Sequence, residues 1–416
     1  MGLFRLTRRT ALAASFALIL APILAGPTYA KASQPHWVTV WASAQMTPGA
    51  DSALSPADAT DATLRQTIHI AKGGKMIRLR LSNAMSTEPL SLRNVHIALA
   101  AATGSSIIDQ ASDRPVTFGG LSDIVIPAGA DYISDPIEMT VPDQSTLAVS
   151  FHIPEAPKQQ TGHPGSRTTS WLVHGDHVSD SDLPGAQKFD HWFHISGIDI
   201  DSGSASAAVV AFGDSITDGY GIKPNSDNRW PDFLAARLKD KPISVLNAGI
   251  GGNRLLLDGL GPNAQARFDR DVLSQNAVKY VLVLEGVNDL GMLTRDTPVS
   301  QDAHASLVAQ IKTAYLQMIA RAHSHGMKIY GGTITPFMGM DYYHADALNE
   351  VDRQAVNTWI RTSGAFDAVI DFDAALRDPA RPDHLSPAYD SGDHLHPSSA
   401  GYKAMAEAVD LKLFEN

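Results

Sequence analysis

Residues 209–219 read VVAFGDSITDG. The apolar stretch, which begins at Ala207, has the length and composition of a buried strand, and the glycines on either side of the next few residues allow a sharp turn. A serine at position 215 in such a turn would have its hydroxyl at the edge of a sheet. Taken alone, this stretch fits two interpretations: Ser215 caps a following helix, or it is a nucleophile.

The chain that follows this stretch predicts a parallel sheet with helices on both faces. The apolar runs are residues 207–212, 243–246, 280–284, 327–334 and 366–370. Between them, apolar residues repeat at helical spacing, first in Leu307, Ile311, Tyr315, Met318 and Ala322, and then in Leu348, Val351, Ala355 and Trp359. A last helix carries Tyr402, Met405 and Val409, with Ser398 or Ser399 as its cap. Strands that alternate with helices are typical of an α/β fold with a parallel sheet.

The first half of the chain has a different pattern. From about His36 to His194 it contains short alternating runs, such as residues 76–81 and 147–151, separated by turns rich in Gly, Pro, Asn and Asp. This pattern predicts an antiparallel β-sandwich or jelly-roll-like fold. We therefore expect an N-terminal β-domain at 31–200, a linker at 201–206 and an α/β domain at 207–416.

The N-terminus predicts a signal peptide over residues 1–30. Arg5, Arg8 and Arg9 precede an apolar run that is too short for a membrane span, and Thr28-Tyr29-Ala30 has small residues at the two positions that a signal peptidase reads. We expect a secreted or periplasmic protein with no stable membrane association after cleavage. The arginine pair fits either a twin-arginine or a general secretory signal.

Composition excludes several classes of function. The formal charge is −11, with 44 acidic and 33 basic residues, which argues against binding to nucleic acid. The chain has no cysteine, so it has no disulfides, no cysteine nucleophile and no thiolate metal site. We expect neither a metal nor another cofactor, and the oligomeric state stays open.

Three further motifs lie where strands end or, for the last, just before a helix. Asn247–Arg254 reads NAGIGGNR, whose glycines let a backbone approach a ligand closely, although glycine-rich turns are common. Asn288 follows the third strand, where its amide either donates to an oxyanion or only terminates the strand. Asp393 and His396 precede the last helix, and their spacing allows the carboxylate to orient the imidazole.

Together, the four motifs resemble the conserved blocks of the GDSL, or SGNH, hydrolase family. The resemblance is carried by Gly213-Asp214-Ser215, Gly252, Asn288 and the pair Asp393 and His396, and it covers roughly residues 207–412. It implies a flavodoxin-like three-layer domain. It also implies Ser215 as nucleophile, His396 as base, Asp393 as the residue that orients it, and an oxyanion hole from the backbone N–H groups of Ser215 and Gly252 and the side chain of Asn288.

Two neighbouring residues are further candidates for roles in the site. His394 adjoins the expected base and is an alternative to it. Arg254 follows the Gly252 block, where the family often has a small hydroxyl residue, and it either reaches a substrate oxygen or pairs with Asp269 or Asp271.

The expected activity is hydrolysis of carboxylic esters through an acyl-enzyme, with small-molecule or polysaccharide esters as substrates. Trp41, Trp171 and Trp192 either stack on sugars, which would favour removal of acetyl groups from carbohydrate, or lie in the core. The alternative substrates are lipid, lysophospholipid-like or aryl esters. The rival functions are an acyltransferase and a non-catalytic glycan-binding protein.

Overall fold

A computed structural model describes residues 1–2, 35–202 and 206–415. Residues 3–30 of the predicted signal peptide and residues 203–205 of the predicted linker lie outside these residues. Residues 36–202 and 206–415 form one compact unit. No helix among the described residues is long and apolar enough to cross a membrane.

The first half of this unit is built from antiparallel strands. They are β1 (Trp37–Ala42), β2 (Ala62–Ile70), β3 (Gly74–Ser82), β4 (Leu90–Leu99), β5 (Arg114–Pro115), β6 (Ile124–Ile126), β7 (Asp131–Ile133), β8 (Ile137–Val141), β9 (Ser145–Ile153), β10 (Gly162–His163), β11 (Ser170–His174), β12 (Gln187–Phe189), β13 (Trp192–Phe193) and β14 (Ile195–Asp201). Strands β10 and β13 form a separate two-stranded sheet. Of the two larger sheets, one has the order β1-β14-β3-β7 and the other β12-β11-β2-β9-β4-β5, with β8 paired to β3 and β6 to β4. Their inward side chains form one apolar core, so the predicted β-domain is confirmed.

The second half has the predicted α/β pattern. Its strands are β15 (Ala207–Gly213), β16 (Ile243–Gly249), β17 (Val278–Leu284), β18 (Lys328–Gly332), β19 (Ala368–Ile370), β20 (Arg377–Asp378) and β21 (Arg381–Leu385). Its helices are α1 (Ser215–Asp218), α2 (Trp230–Arg237), α3 (Ala264–Phe268), α4 (Val287–Thr294), α5 (Gln301–Ser324), α6 (Ala347–Thr362), α7 (Phe372–Leu376) and α8 (Ser399–Ala408). A parallel sheet has the order β16-β15-β17-β18-β19, with helices packed against it. The predicted SGNH-type fold is confirmed.

This strand order determines where a site can form. Strand β15, the first strand of this sheet along the chain, lies between β16 and β17. The next strand, β16, is added on one side of β15, and β17, β18 and β19 are added on the other. Crevices at the carboxyl ends of strands form where the order reverses in this way. Gly213 pairs there with Gly249 on one side and Leu284 on the other, which brings three of the predicted motifs to one edge of the sheet.

Strand β1 joins the two halves of the unit. Val38 and Ala42 contribute to the core of the α/β part, whereas Val40 and Trp41 contribute to the core of the β-domain. The interface also contains a buried ion cluster, in which the carboxylate of Asp199 accepts hydrogen bonds from Arg80 and from the Asn276 side chain of the α/β part. The boundaries predicted for two domains stay a prediction, since the described residues from His36 onward form one compact unit.

Candidate active site

The strand-to-helix turn after β15 holds Ser215 at the sheet edge. A Cβ atom at Gly213 would lie 2.2 Å from Thr217 Oγ1 and 2.5 Å from Leu284 O, so only glycine allows the turn to close this tightly. Asp214 is the N-cap of α1, and its Oδ1 accepts a hydrogen bond from the Ile216 N–H at 2.9 Å. The capping role that one interpretation gave to Ser215 therefore belongs to Asp214, and Ser215 is the first residue of the helix.

The structure brings Ser215, His396 and Asp393 together in one chain of hydrogen bonds. Ser215 Oγ lies 2.8 Å from His396 Nε2, and His396 Nδ1 lies 2.6 Å from Asp393 Oδ2. Ser215 and His396 are 4% and 7% exposed, so these contacts are shielded from bulk water. A carboxylate on the far nitrogen fixes the tautomer in which the near nitrogen can take the serine proton.

The loop before α8 holds Asp393 in its ionised form. Besides the imidazole contact, Asp393 Oδ1 accepts from the backbone N–H groups of Leu395 and His396 at 3.0 and 2.8 Å. Burial acts to raise the pKa of Asp393, but the hydrogen bonds from His396 outweigh it and hold that pKa well below its ordinary value. The group thus stays negative and can stabilise an imidazolium on His396.

The alternative base, His394, faces away from the serine. Its Nδ1 lies 2.6 Å from Asp390 Oδ2, and its ring is half-exposed. His394 also has a left-handed backbone, with φ of 66°. This geometry turns the two neighbouring histidines in different directions, and only His396 contacts Ser215.

The second and third motifs meet beside the serine. Ile250 donates its N–H to Gly213 O at 3.0 Å, which places the glycine turn next to the nucleophile turn. Gly252 has φ of 68°, and a Cβ there would lie 2.8 Å from Leu260 Cδ1. Asn288 Nδ2 donates to Asn253 O at 2.8 Å, so its amide lies against the peptide between Asn253 and Arg254, one residue beyond Gly252.

Tyr343, which sequence reasoning missed, orients this amide. Its hydroxyl donates to Asn288 Oδ1 at 2.6 Å, and burial raises the pKa of Tyr343 well above its ordinary value, so the hydroxyl keeps its proton and remains a donor. With its oxygen engaged, Asn288 directs its NH₂ group toward Asn253 O, and the second N–H bond stays available to an oxyanion.

Arg267, also missed, joins the ends of the central strands. Its side chain is fully buried and donates to Gly213 O, Ala248 O and Asn253 Oδ1, each at 2.8 Å. It also pairs with Asp271 at 3.0 Å and Glu285 at 3.2 Å. Arg267 thus fixes the carbonyl groups around the nucleophile turn and the glycine turn, and it acts through them rather than on substrate.

Buried carboxyl groups lie beneath the serine. Burial, with the charge of Asp289 adding to it, raises the pKa of Asp214 to about 7, and burial raises that of Asp289 to about 6. Burial and the charge of Asp214 also raise the pKa of Glu285 well above its usual range. The positive charge of Arg267 opposes this effect on Asp214 and Glu285, which makes the guanidinium important to the stability of the site.

Replacement of Arg267 by methionine should therefore lower the free energy of unfolding by about 3–5 kcal/mol, because it leaves Glu285 buried without this ion pair and leaves Asp271 paired with Arg270 alone. Urea unfolding at neutral pH measures the change. Arg321→Ala is the matched control, since Arg321 pairs with Asp269 at the surface, and it should cost less than about 1 kcal/mol. Equal losses in both variants would contradict the role given to Arg267.

The contacts bear on two sets of alternatives that the sequence left open. Arg254 donates to the backbone oxygen of Asp258, whereas Asp269 pairs with Arg321 and Asp271 with Arg267, so the proposed pairing of Arg254 with either acid is wrong. The three tryptophans do not offer stacking surfaces: Trp41, Trp171 and Trp192 are 8%, 1% and 7% exposed. Trp41 and Trp192 belong to the apolar core of the β-domain, and Trp171 is buried outside that core, so all three lie in the interior, as the alternative interpretation expected. Among the described residues, no group of three or more His, Asp or Glu could hold a metal ion.

Comparison with known proteins identifies this part of the chain. Residues 211–404 match the family described as GDSL-like Lipase/Acylhydrolase, and they form a domain of that family, as the four motifs predicted. Membership indicates a hydrolase of the esterase or lipase type. No curated protein matched the chain.

Solved structures of similar proteins are GDSL-family hydrolases. A putative lipolytic protein from Desulfitobacterium hafniense is 23% identical with a TM-score of 0.37, and the match covers 49% of this chain and 97% of that one. A lipase/acylhydrolase from Enterococcus faecalis is 20% identical with a TM-score of 0.37, covering 49% and 92%. A carbohydrate acetylesterase from Sinorhizobium meliloti is 16% identical with a TM-score of 0.39, covering 50% and 99%. Resemblances at this level indicate nothing about substrate.

Proposed function

We propose that this protein is a secreted serine esterase that hydrolyses carboxylic esters through an acyl-enzyme on Ser215. The observation that supports the proposal best is the continuous hydrogen-bonded chain from Ser215 Oγ through His396 to Asp393. A serine hydroxyl is a weak nucleophile until an adjacent base takes its proton, and this arrangement supplies that base with its tautomer fixed.

The reaction then has two steps. In the first, His396 Nε2 accepts the proton of Ser215 Oγ as the oxygen attacks the ester carbonyl, and the negative oxygen faces the backbone N–H groups of Ser215 and Gly252 and the amide of Asn288. His396 returns the proton to the leaving alcohol, which gives the acyl-enzyme. In the second step a water molecule, deprotonated by His396, releases the acid and restores Ser215.

We propose short acyl groups, above all acetyl, on carbohydrate alcohols as the substrates. One observation favours the alternative, a lipid or aryl ester: Leu257 and Leu260 are 61% and 65% exposed, and Leu260 lies against Gly252 of the proposed oxyanion hole. Exposed leucines at this place could accept an apolar acyl chain, because removing their surface from water is favourable.

Covalent labelling combined with a substrate series tests the proposed function. A fluorophosphonate should attach one phosphonyl group to the protein, on the peptide that contains Ser215, and mass spectrometry should detect it. The same treatment should abolish hydrolysis of p-nitrophenyl acetate. Kinetics on p-nitrophenyl esters from acetate to palmitate, beside acetylated xylan, then separate the short-acyl proposal from the lipid alternative. Failure to label and failure to hydrolyse would favour a glycan-binding protein, while acetyl release only with an added sugar acceptor would favour a transferase.

A further inference from the structure

Tyr220 places an exposed aromatic ring beside the imidazole of His396. The two ring centroids are 4.2 Å apart with an interplanar angle of 36°, and Tyr220 is 49% exposed. Its backbone is tightly held, since its N–H donates to Ser215 O at 2.9 Å and its carbonyl accepts from Tyr402 Oη at 2.8 Å. The glycines on either side, Gly219 and Gly221, both have φ of 86°, a conformation that lets the chain present this one ring at the site.

The β-domain holds this ring through Arg167. The guanidinium carbon of Arg167 lies 5.6 Å from the Tyr220 ring centroid, within the range of a cation–π contact. Arg167 Nη1 donates to Gly165 O at 2.7 Å and to Asp218 O at 3.2 Å, and it pairs with the Asp218 carboxylate at 3.3 Å. Because Asp218 compensates its charge, Arg167 is suited to positioning the ring rather than to binding an anion.

The chemistry of the base indicates which part of the substrate the ring meets. His396 must return its proton to the oxygen of the leaving alcohol, so the alcohol portion has to lie next to His396 as the ester bond breaks. Tyr220 is the exposed side chain that packs on that imidazole. An aromatic ring there offers a large apolar face with little conformational entropy to lose.

We propose that Tyr220 forms the subsite for the alcohol portion of the ester, that this portion presents the face of a ring, and that Arg167 of the β-domain positions Tyr220. The inference rests on the proposed esterase function and narrows its substrate to esters of cyclic alcohols. Both sugars and aryl alcohols have such a face. Tyr220 is then a specificity-determining residue, and Arg167 a positioning residue.

The test compares three acetate esters that share the acyl group and differ in the alcohol: phenyl acetate, an acetylated methyl glycoside and ethyl acetate. Tyr220→Ala should lower kcat/KM about tenfold for at least one ring ester and less than twofold for ethyl acetate. The ester that responds identifies the alcohol as aryl or sugar. Tyr220→Leu, which keeps an apolar side chain of similar reach, should show the same selective loss if the alanine variant folds poorly.

A second measurement separates binding of the alcohol from support of His396. Hydrolysis of the acetyl-enzyme involves water and no alcohol, so its rate in Tyr220→Ala should equal that of the wild type. Equal losses for all three esters, with slower hydrolysis of the acetyl-enzyme, would overturn the proposal and leave Tyr220 as packing for the base.

Arg167→Gln should lower the ratio of kcat/KM for the ring ester to kcat/KM for ethyl acetate, as Tyr220→Ala does, but by a smaller factor. The matched control is Tyr342→Ala, because Tyr342 is 51% exposed and has the guanidinium of Arg295 at 4.4 Å from its ring. That variant should keep the wild-type ratio. If the wild type releases no acetate from any ester, the esterase function itself fails, whereas an active wild type whose ratio is unchanged by Tyr220→Ala refutes only the subsite.

Discussion

Ser215→Ala is expected to lower kcat for p-nitrophenyl acetate by about 10⁴–10⁶-fold. The substitution removes the nucleophilic oxygen and its 2.8 Å contact with His396 Nε2. It keeps the backbone N–H of residue 215, so the oxyanion site should still give slow direct hydrolysis by water. The variant should also lose the fluorophosphonate label.

The loss must arise from chemistry rather than from unfolding. Because Asp214, not Ser215, caps α1, the melting temperature of Ser215→Ala should stay close to that of the wild type. The double variant Ser215→Ala with His396→Ala should be hardly slower than Ser215→Ala alone. The serine and the histidine act as a unit, so removing the serine already removes the contribution of the histidine. Unchanged hydrolysis in Ser215→Ala would refute the nucleophile and the acyl-enzyme with it.

The sequence predicted the parts of the site that depend on short motifs. Asp393 and His396 lie on one loop, so their spacing alone predicted contact, and the strand-to-turn pattern placed Ser215 at the sheet edge. The glycines of the second motif likewise indicated a close backbone approach. These features are local in the chain, and the parallel sheet then brings the strand ends to one place.

The supporting residues could not be found in this way, because their partners are remote in sequence. Arg267 reaches back to Gly213, Tyr343 to Asn288, and Arg167 to Tyr220 from another part of the fold. The sequence around a single arginine or tyrosine does not predict which distant residue its side chain contacts. A cluster of buried acids needs a buried cation, but burial itself is known only once the fold is known.

Helix α6 shows a second limit of pattern reasoning. The apolar repeat that includes Val351 predicted the helix, but Val351 is 61% exposed. The buried face carries polar residues, including Arg353 and Asn357, with Arg353 paired to Asp373 at 2.7 Å and Asn357 bonded to Ile334 O at 2.8 Å. A helix that supports a polar network buries its hydrogen-bonding side chains, so the apolar stripe does not mark its inner face.

Asp393→Asn should lower kcat by about 10⁴-fold while the fold stays intact. An asparagine amide at this position can donate to His396 Nδ1, which would favour the tautomer with its proton on Nε2, and that nitrogen could no longer accept the proton of Ser215. The carboxylate that stabilises the imidazolium is lost as well. Stopped-flow measurement of acyl-enzyme formation should show that the first step slows, with KM for p-nitrophenyl acetate little changed.

The neighbouring pair supplies a closely matched control for this variant. Asp390 Oδ2 contacts His394 Nδ1 at 2.6 Å, the same distance that joins Asp393 Oδ2 to His396 Nδ1. Asp390→Asn should leave kcat within about tenfold of the wild type, because His394 does not contact Ser215 and a loop substitution acts only through small shifts of the base. Comparable losses in both variants would mean that the loop as a whole, rather than the charge on Asp393, determines the activity of His396.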